Sequence, residues 1–182
     1  MDLGVSSYQI DENTRGFSYI NDGKLDMRMN QLEGKTASDI VNNYTQSELT
    51  KIIYEYGEEK YSRQIAKTIC EYRKITNITT TKELVNIIEK AVPAVYKKNG
   101  HPAKRTFQAI RIETNNELQA LYKTIVDCVA CLNIEGRLCV ITFHSLEDRI
   151  VKNALLDLAG KCTCPPDLPY CMCNYKAVRR NY

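Results

Sequence analysis

Tryptophan is absent from the 182 residues. So is any apolar run near the roughly 20 residues that a membrane-spanning helix requires, which excludes such a helix. The opening Met1-Asp2-Leu3-Gly4 has no basic stretch and no apolar core, so no secretory signal peptide is read there. The expected compartment is the cytoplasm. The 8 cysteines are then expected to be reduced thiols, metal ligands or core residues, not disulfides. An excess of charge of either sign is lacking as well. A net charge of +3 is too small to argue nucleic-acid binding, so any basic surface must arise from local clustering. No internal repeat or low-complexity tract interrupts the chain. With 43% hydrophobic and 26% charged residues, the composition is that of a soluble globular domain, or of one domain with a small insert.

Residues 1–35 are rich in Gly, Asp, Asn and Ser and read as loop, with a turn at Asn21-Asp22-Gly23. The opening Asp2-Leu3-Gly4-Val5-Ser6-Ser7 reads as the end of a buried strand whose earlier part is missing. Residues 36–100 read as a small all-helical insert. Thr45 with Glu48 and Thr80 with Glu83 have capping-box spacing, each ahead of a one-faced apolar stripe. Residues 101–182 read as a second α/β piece. A helix is expected from Thr106 past Asn115 to Leu132. Arg137 to Phe143 is the clearest strand, short and apolar, and Ser145 with Asp148 opens another helix as its N-cap. A long helix, a strand and another helix suggest a parallel α/β layer.

Five motifs carry candidate chemistry. Asp2, with Gly4, Ser6, Ser7 and Gln9 after it, suits a crevice at the carboxyl end of a strand, where open α/β sheets bind ligands; an ordinary polar loop is the competing reading. Arg15, Lys24 and Arg28 could contact phosphate, or belong to a solvated loop whose Phe17 and methionines pin it to the core. Lys104, Arg105 and Arg111 gather beside His101 and Phe107 in a pattern that suits RNA, or form a solvated basic face. His144 stands at a strand-to-helix junction as a base or hydrogen-bond partner, with a structural histidine as the alternative. Cys162, Cys164, Cys171 and Cys173 could hold zinc. Their pairs are separated by one residue, however, where zinc knuckles commonly use about two to four.

Taken together, these segments resemble one family closely: the bacterial small-subunit (16S) ribosomal RNA cytosine N4-methyltransferases, also called the MraW or RsmH family. The words that carry the resemblance are Asp-Leu-Gly-Val-Ser-Ser (2–7) with Gln9, Arg-Gly-Phe-Ser (15–18) and Asp-Gly-Lys-Leu-Asp-Met-Arg-Met (22–29). They continue in Glu-Tyr-Gly-Glu-Glu (55–59), His-Pro-Ala-Lys-Arg-Thr-Phe-Gln-Ala-Ile-Arg-Ile (101–112) and Phe-His-Ser-Leu-Glu-Asp-Arg-Ile-Val-Lys (143–152). They run nearly end to end in the expected order. The resemblance implies a partial Rossmann-like S-adenosylmethionine-dependent methyltransferase fold, helix-dominated in this chain, with an inserted all-helical domain that helps bind RNA. It implies transfer of a methyl group from S-adenosylmethionine to the exocyclic N4 of a cytidine in 16S rRNA of the small ribosomal subunit. It also implies that Asp2 and Gln9 contact the methyl donor. Family members carry a long segment ahead of Asp2, with a Gly-Gly-His loop, and a strand pair beyond the cysteine loop. The chain is therefore expected to be truncated at its N-terminus and at its C-terminus.

Methylating an exocyclic amine needs little acid–base help. An acceptor near N4 localises a lone pair otherwise delocalised into the ring, and the rest is orientation. Asp2, Ser6, Ser7 and His144 are the candidates for that pocket. Two other readings stand beside the enzyme: a non-catalytic RNA-binding module, and an inactive fragment. Missing parallel strands would expose strand edges, and a homodimer is one way of covering them.

Overall fold

The computed structural model describes residues 1–159, apart from the side chains of Lys98 and Asn99. Helices dominate, and the chain divides into two compact units: Val5–Asn116, and Met1–Gly4 with Glu117 onward. The larger unit thus takes in the loop, the helical stretch and the start of the third segment distinguished in the sequence.

In the larger unit, α1 (Ser7–Asp11) and a 3-10 turn at Asn13–Arg15 occupy a stretch expected to be loop. Ser6 and Gln9 close a capping box that stabilises α1 locally. Then come α2 (Ala37–Asn43), α3 (Gln46–Glu55), α4 (Ser62–Tyr72), α5 (Thr81–Ala91) and α6 (Lys104–Asn115). The expected capping boxes form at Thr45 with Glu48 and at Thr80 with Glu83, and Thr36 with Asp39 makes another. Each box satisfies backbone amides that the first helical turn leaves without partners. Leu49, Ile53, Ile65, Ile69, Leu84, Ile87 and Ile88 fall on the inward faces of α3, α4 and α5 and form the core.

Residues 15–29 are built into this unit rather than draped over it. Phe17, Leu25 and Met27 are buried in the helical core. Lys24 bridges Thr80 in antiparallel fashion, and the Leu25 amide donates to the Thr79 carbonyl at 2.9 Å. Asn115, near the end of α6, donates to the Met27 carbonyl and accepts from the Met29 amide at 2.8 and 2.7 Å. Asp26 accepts both Nε and Nη2 of Arg28, at 2.8 and 2.9 Å.

Burial pushes the Asp26 carboxyl up, but the bonds from the Arg28 side chain and amide outweigh it and hold the group below the ordinary carboxylate range. A carboxyl depressed by folding stabilises the protein above its unfolded pKa, and that contribution is lost as acid protonates the folded form. Asp26→Asn is therefore expected to be less stable than the parent near neutral pH and to converge on it below about pH 4. Urea melts of both proteins across that range check this, and a constant gap would refute it.

In the smaller unit, α7 (Leu121–Ala130) packs on α8 (Ser145–Leu158), with Leu121, Ile125, Val151 and Ala154 between them. The single long helix expected from Thr106 to Leu132 is two helices. Asn116 takes the left-handed conformation at φ 54 and caps α6, a position that suits Asn. The strand expected over Arg137 to Phe143 is reduced, among the described residues, to an extended segment with one parallel bridge, Asp2 to Ile141. It is buried on one face only. Leu138 and Val140 pack on the α7–α8 core, while Cys139, Ile141 and Phe143 are exposed, so the segment is not enclosed on both faces as central parallel strands are. The N-cap of α8 is also one residue earlier than expected: it is His144, not Ser145.

Candidate functional site

Alternation along the extended segment explains the smaller unit's site. The Leu3 amide donates to the Ile141 carbonyl at 3.2 Å, and the Ile141 amide to the Met1 carbonyl at 3.0 Å. The two segments run parallel, with Asp2 level with Ile141, three residues ahead of His144, which follows the carboxyl end of its own segment. That is where open α/β layers gather functional groups. The Asp2 side chain is exposed. Gly4 follows at φ 78, a left-handed conformation open to glycine.

His144 is held from both sides. Its Nδ1 accepts the Glu147 amide at 3.4 Å, capping α8. The Glu147 carboxylate turns back, accepting the Phe143 amide on Oε2 at 2.9 Å and placing Oε1 3.3 Å from His144 Nε2. Both side chains are more than nine-tenths buried. The last approach is close, yet Nε2 makes no hydrogen bond, because the ring N–H is not directed at the carboxylate. Glu117 brings a third ligating group: its carboxylate, His144 and Glu147 each place a ligand atom within 4.8 Å of the others. Glu147 stands three residues after the N-cap, which is the only trace of this arrangement in the sequence. Nothing local announces Glu117.

Gln9 and Ser6 belong to the larger unit. Gln9 Oε1 accepts the Ser6 amide at 3.0 Å and lies 3.4 Å from the Ser6 hydroxyl. Ser7 is the exposed first residue of α1.

All six candidate RNA-contacting cations lie in this unit too. Arg15 donates through Nη2 to the Arg28 and Met29 carbonyls at 2.8 and 3.0 Å, Arg28 is bidentate on Asp26, and Arg105 donates to the Glu58 carbonyl. These three therefore have structural work. Lys24 and Lys104 are exposed and Arg111 is half-buried.

A polar knot escaped sequence reasoning. Glu59 is fully buried and accepts the Tyr61 amide at 2.9 Å and the Tyr96 hydroxyl at 2.6 Å. Burial first, then the Glu59 carboxylate, pushes the Tyr96 hydroxyl up to about 12. Tyr96 therefore stays a hydrogen-bond donor at any physiological pH. Cys162, Cys164, Cys171 and Cys173 lie outside the described residues.

The MraW methylase family model matches residues 1–181. The chain belongs to that family. Its similarity to curated members is high. The ribosomal RNA small subunit methyltransferase H of Clostridium botulinum (strain 657 / Type Ba4) is 61% identical over 173 residues, which are 95% of this chain and 56% of that protein. Its counterparts in Ruminiclostridium cellulolyticum and Finegoldia magna are 56% and 52% identical, over 97% of this chain and 56% and 57% of theirs. The chain spans about half the length of the curated relatives it matches. Methyl transfer is the chemistry of the family, and S-adenosylmethionine is the donor it implies. No helix among the described residues is long and apolar enough to cross a membrane.

Proposed function

We propose that this chain is part of a cytoplasmic enzyme that methylates N4 of a cytidine in 16S rRNA. Its smaller unit would belong to a Rossmann-like methyltransferase domain and its helices α2 to α5 to an inserted RNA-binding domain. One observation carries this reading beyond family membership: a parallel bridge sets Asp2 beside Ile141, in the segment that leads into His144 and α8. An exposed carboxylate beside a left-handed glycine fits a donor bearing an amino group, since the carboxylate accepts its N–H bonds and the glycine admits close backbone approach. When bound, S-adenosylmethionine supplies an electrophilic methyl group on a sulfonium.

In this reading the smaller unit contributes Asp2 and His144 to the methyl-transfer site, while the donor contact of Gln9 and the pocket role of Ser6 and Ser7, in the larger unit, rest on the family resemblance alone. A carboxylate or hydroxyl oxygen accepting an N4 hydrogen localises the amine lone pair for attack. His144 contributes by position, because its ring is locked under the α8 terminus. Lys24, Lys104 and Arg111, with the anchored Arg15, Arg28 and Arg105, offer the positive charge that an RNA backbone requires.

Calorimetric titration of the chain with S-adenosylmethionine tests this. Saturable binding that Asp2→Ala weakens at least about tenfold, or roughly 1.4 kcal/mol, is expected. No binding to the parent chain, alongside salt-dependent binding to a 16S rRNA fragment, would instead support a non-catalytic RNA-binding module. Neither activity would support an inactive fragment. Sedimentation of the same sample would reveal a homodimer.

A further inference from the structure

We infer that Glu117, His144 and Glu147 form a site for one divalent first-row cation in the smaller unit. The inference does not rest on methyl transfer. Two independent observations carry it. The first is the donor set: two carboxylates and an imidazole with ligand atoms all within 4.8 Å of one another. Bonds of roughly 2.0–2.2 Å to nitrogen and oxygen put neighbouring ligands of one ion about 3 to 3.4 Å apart, so the group closes on an ion through side-chain shifts of up to about 1 Å. The second is His144 Nε2. It is a buried polar atom without a hydrogen bond, on a side chain only 8% exposed, and it lies 3.3 Å from Glu147 Oε1. Buried nitrogens in folded proteins are nearly always satisfied, and a metal ion is one standard partner for an imidazole.

The surroundings suit coordination. Glu147 Oε2 is fixed by the Phe143 amide, and Oε1 lies 3.3 Å from the imidazole. A ligating carboxylate with its second oxygen anchored to backbone is a common supporting arrangement.

Coordination through Nε2 requires the ring proton to move to Nδ1. That move gives up the bond from the Glu147 amide, which at 3.4 Å is already long. Carboxylates suit Mn²⁺ and imidazole suits Fe²⁺ and Zn²⁺, so the mixed set accepts a range of divalent first-row ions, of which Mn²⁺ is the one thiolates compete for least. Three protein ligands leave positions open for water or a phosphate oxygen.

The test uses the complete 182-residue chain. Mn²⁺ binding is followed by electron paramagnetic resonance, so that the cysteines near the C-terminus do not compete for the probe. One Mn²⁺ per chain is expected. His144→Asn removes the imidazole but retains an oxygen able to cap α8, and Glu117→Gln removes one charge from a half-buried position. Each is expected to weaken Mn²⁺ at least about tenfold while the far-ultraviolet circular dichroism stays that of the parent, since even supporting residues around metals cost that much. Absence of Mn²⁺ binding to the parent, or equal binding by both folded variants, would overturn the site.

Discussion

Gly16→Ala is expected to destabilise the larger unit by more than about 3 kcal/mol, a size reached only when a substitution breaks packing or forces a special backbone conformation. Gly16 does both. Its φ is 71, and a Cβ there would stand 2.1 Å from the Lys24 carbonyl oxygen and 2.8 Å from the Asp26 amide. Those atoms are backbone, so no rotamer change relieves the contact. Relief requires residues 24–26 to move, and these are tied to Thr79, to α2 and to the Arg28 guanidinium. Gly34 is the internal control. It has a similar φ of 81 but nothing within 4 Å of its Cβ position. Gly34→Ala should cost only the left-handed backbone penalty, about 1 kcal/mol. Urea unfolding followed by tyrosine fluorescence suits the comparison, because the chain has 12 tyrosines and no tryptophan. Equal losses in the two variants would show that close packing at Gly16 is not what holds residues 15–29 in place.

Leu84→Ala is the second large effect. Leu84 is fully buried on α5, where that helix packs on α4. Truncation removes apolar contact and leaves a cavity that helices fixed at both ends fill only in part. A loss of about 2–5 kcal/mol follows, a substantial share of the 5–15 kcal/mol typical of a domain. Ile75→Ala, at a residue 87% exposed just beyond α4, should change stability by less than about 0.5 kcal/mol. The pair separates burial from hydrophobicity as such. If Ile75→Ala proved as costly as Leu84→Ala, the assignment of the core to the inner faces of α3, α4 and α5 would be wrong.

The legible parts of this fold are those whose physics spans a few residues. Thr45 with Glu48 and Thr80 with Glu83 satisfy amides within their own first turn, so three-residue spacing suffices to place α3 and α5. The apolar stripes of those helices were equally visible. The missed features depend on distant partners. A helical reading through Asn115 ran past Asn116, whose residue type permits the left-handed cap but does not by itself require one where one compact unit ends and the other begins. Ser145 is a better N-cap than His144 by propensity, yet His144 takes the position with its ring wedged against Glu147.

The candidate site divides in the same way. Asp2, Gln9 and His144 stood out as residue types in recognisable words. That Asp2 lies beside the segment leading into His144 follows only from hydrogen bonds that join residues 1–3 to residue 141. Arg15, Arg28 and Arg105 looked alike as cations, and only packing shows that backbone carbonyls and a buried carboxylate engage them. The sequence by itself determined family membership, helix starts and the chemical inventory, because those reside in residue identity and short spacing. Tertiary structure alone decided that Phe17, Leu25 and Met27 are core, and that Glu117 meets His144 and Glu147. Burial and ligand geometry come from chain closure over long separations, which no local pattern encodes.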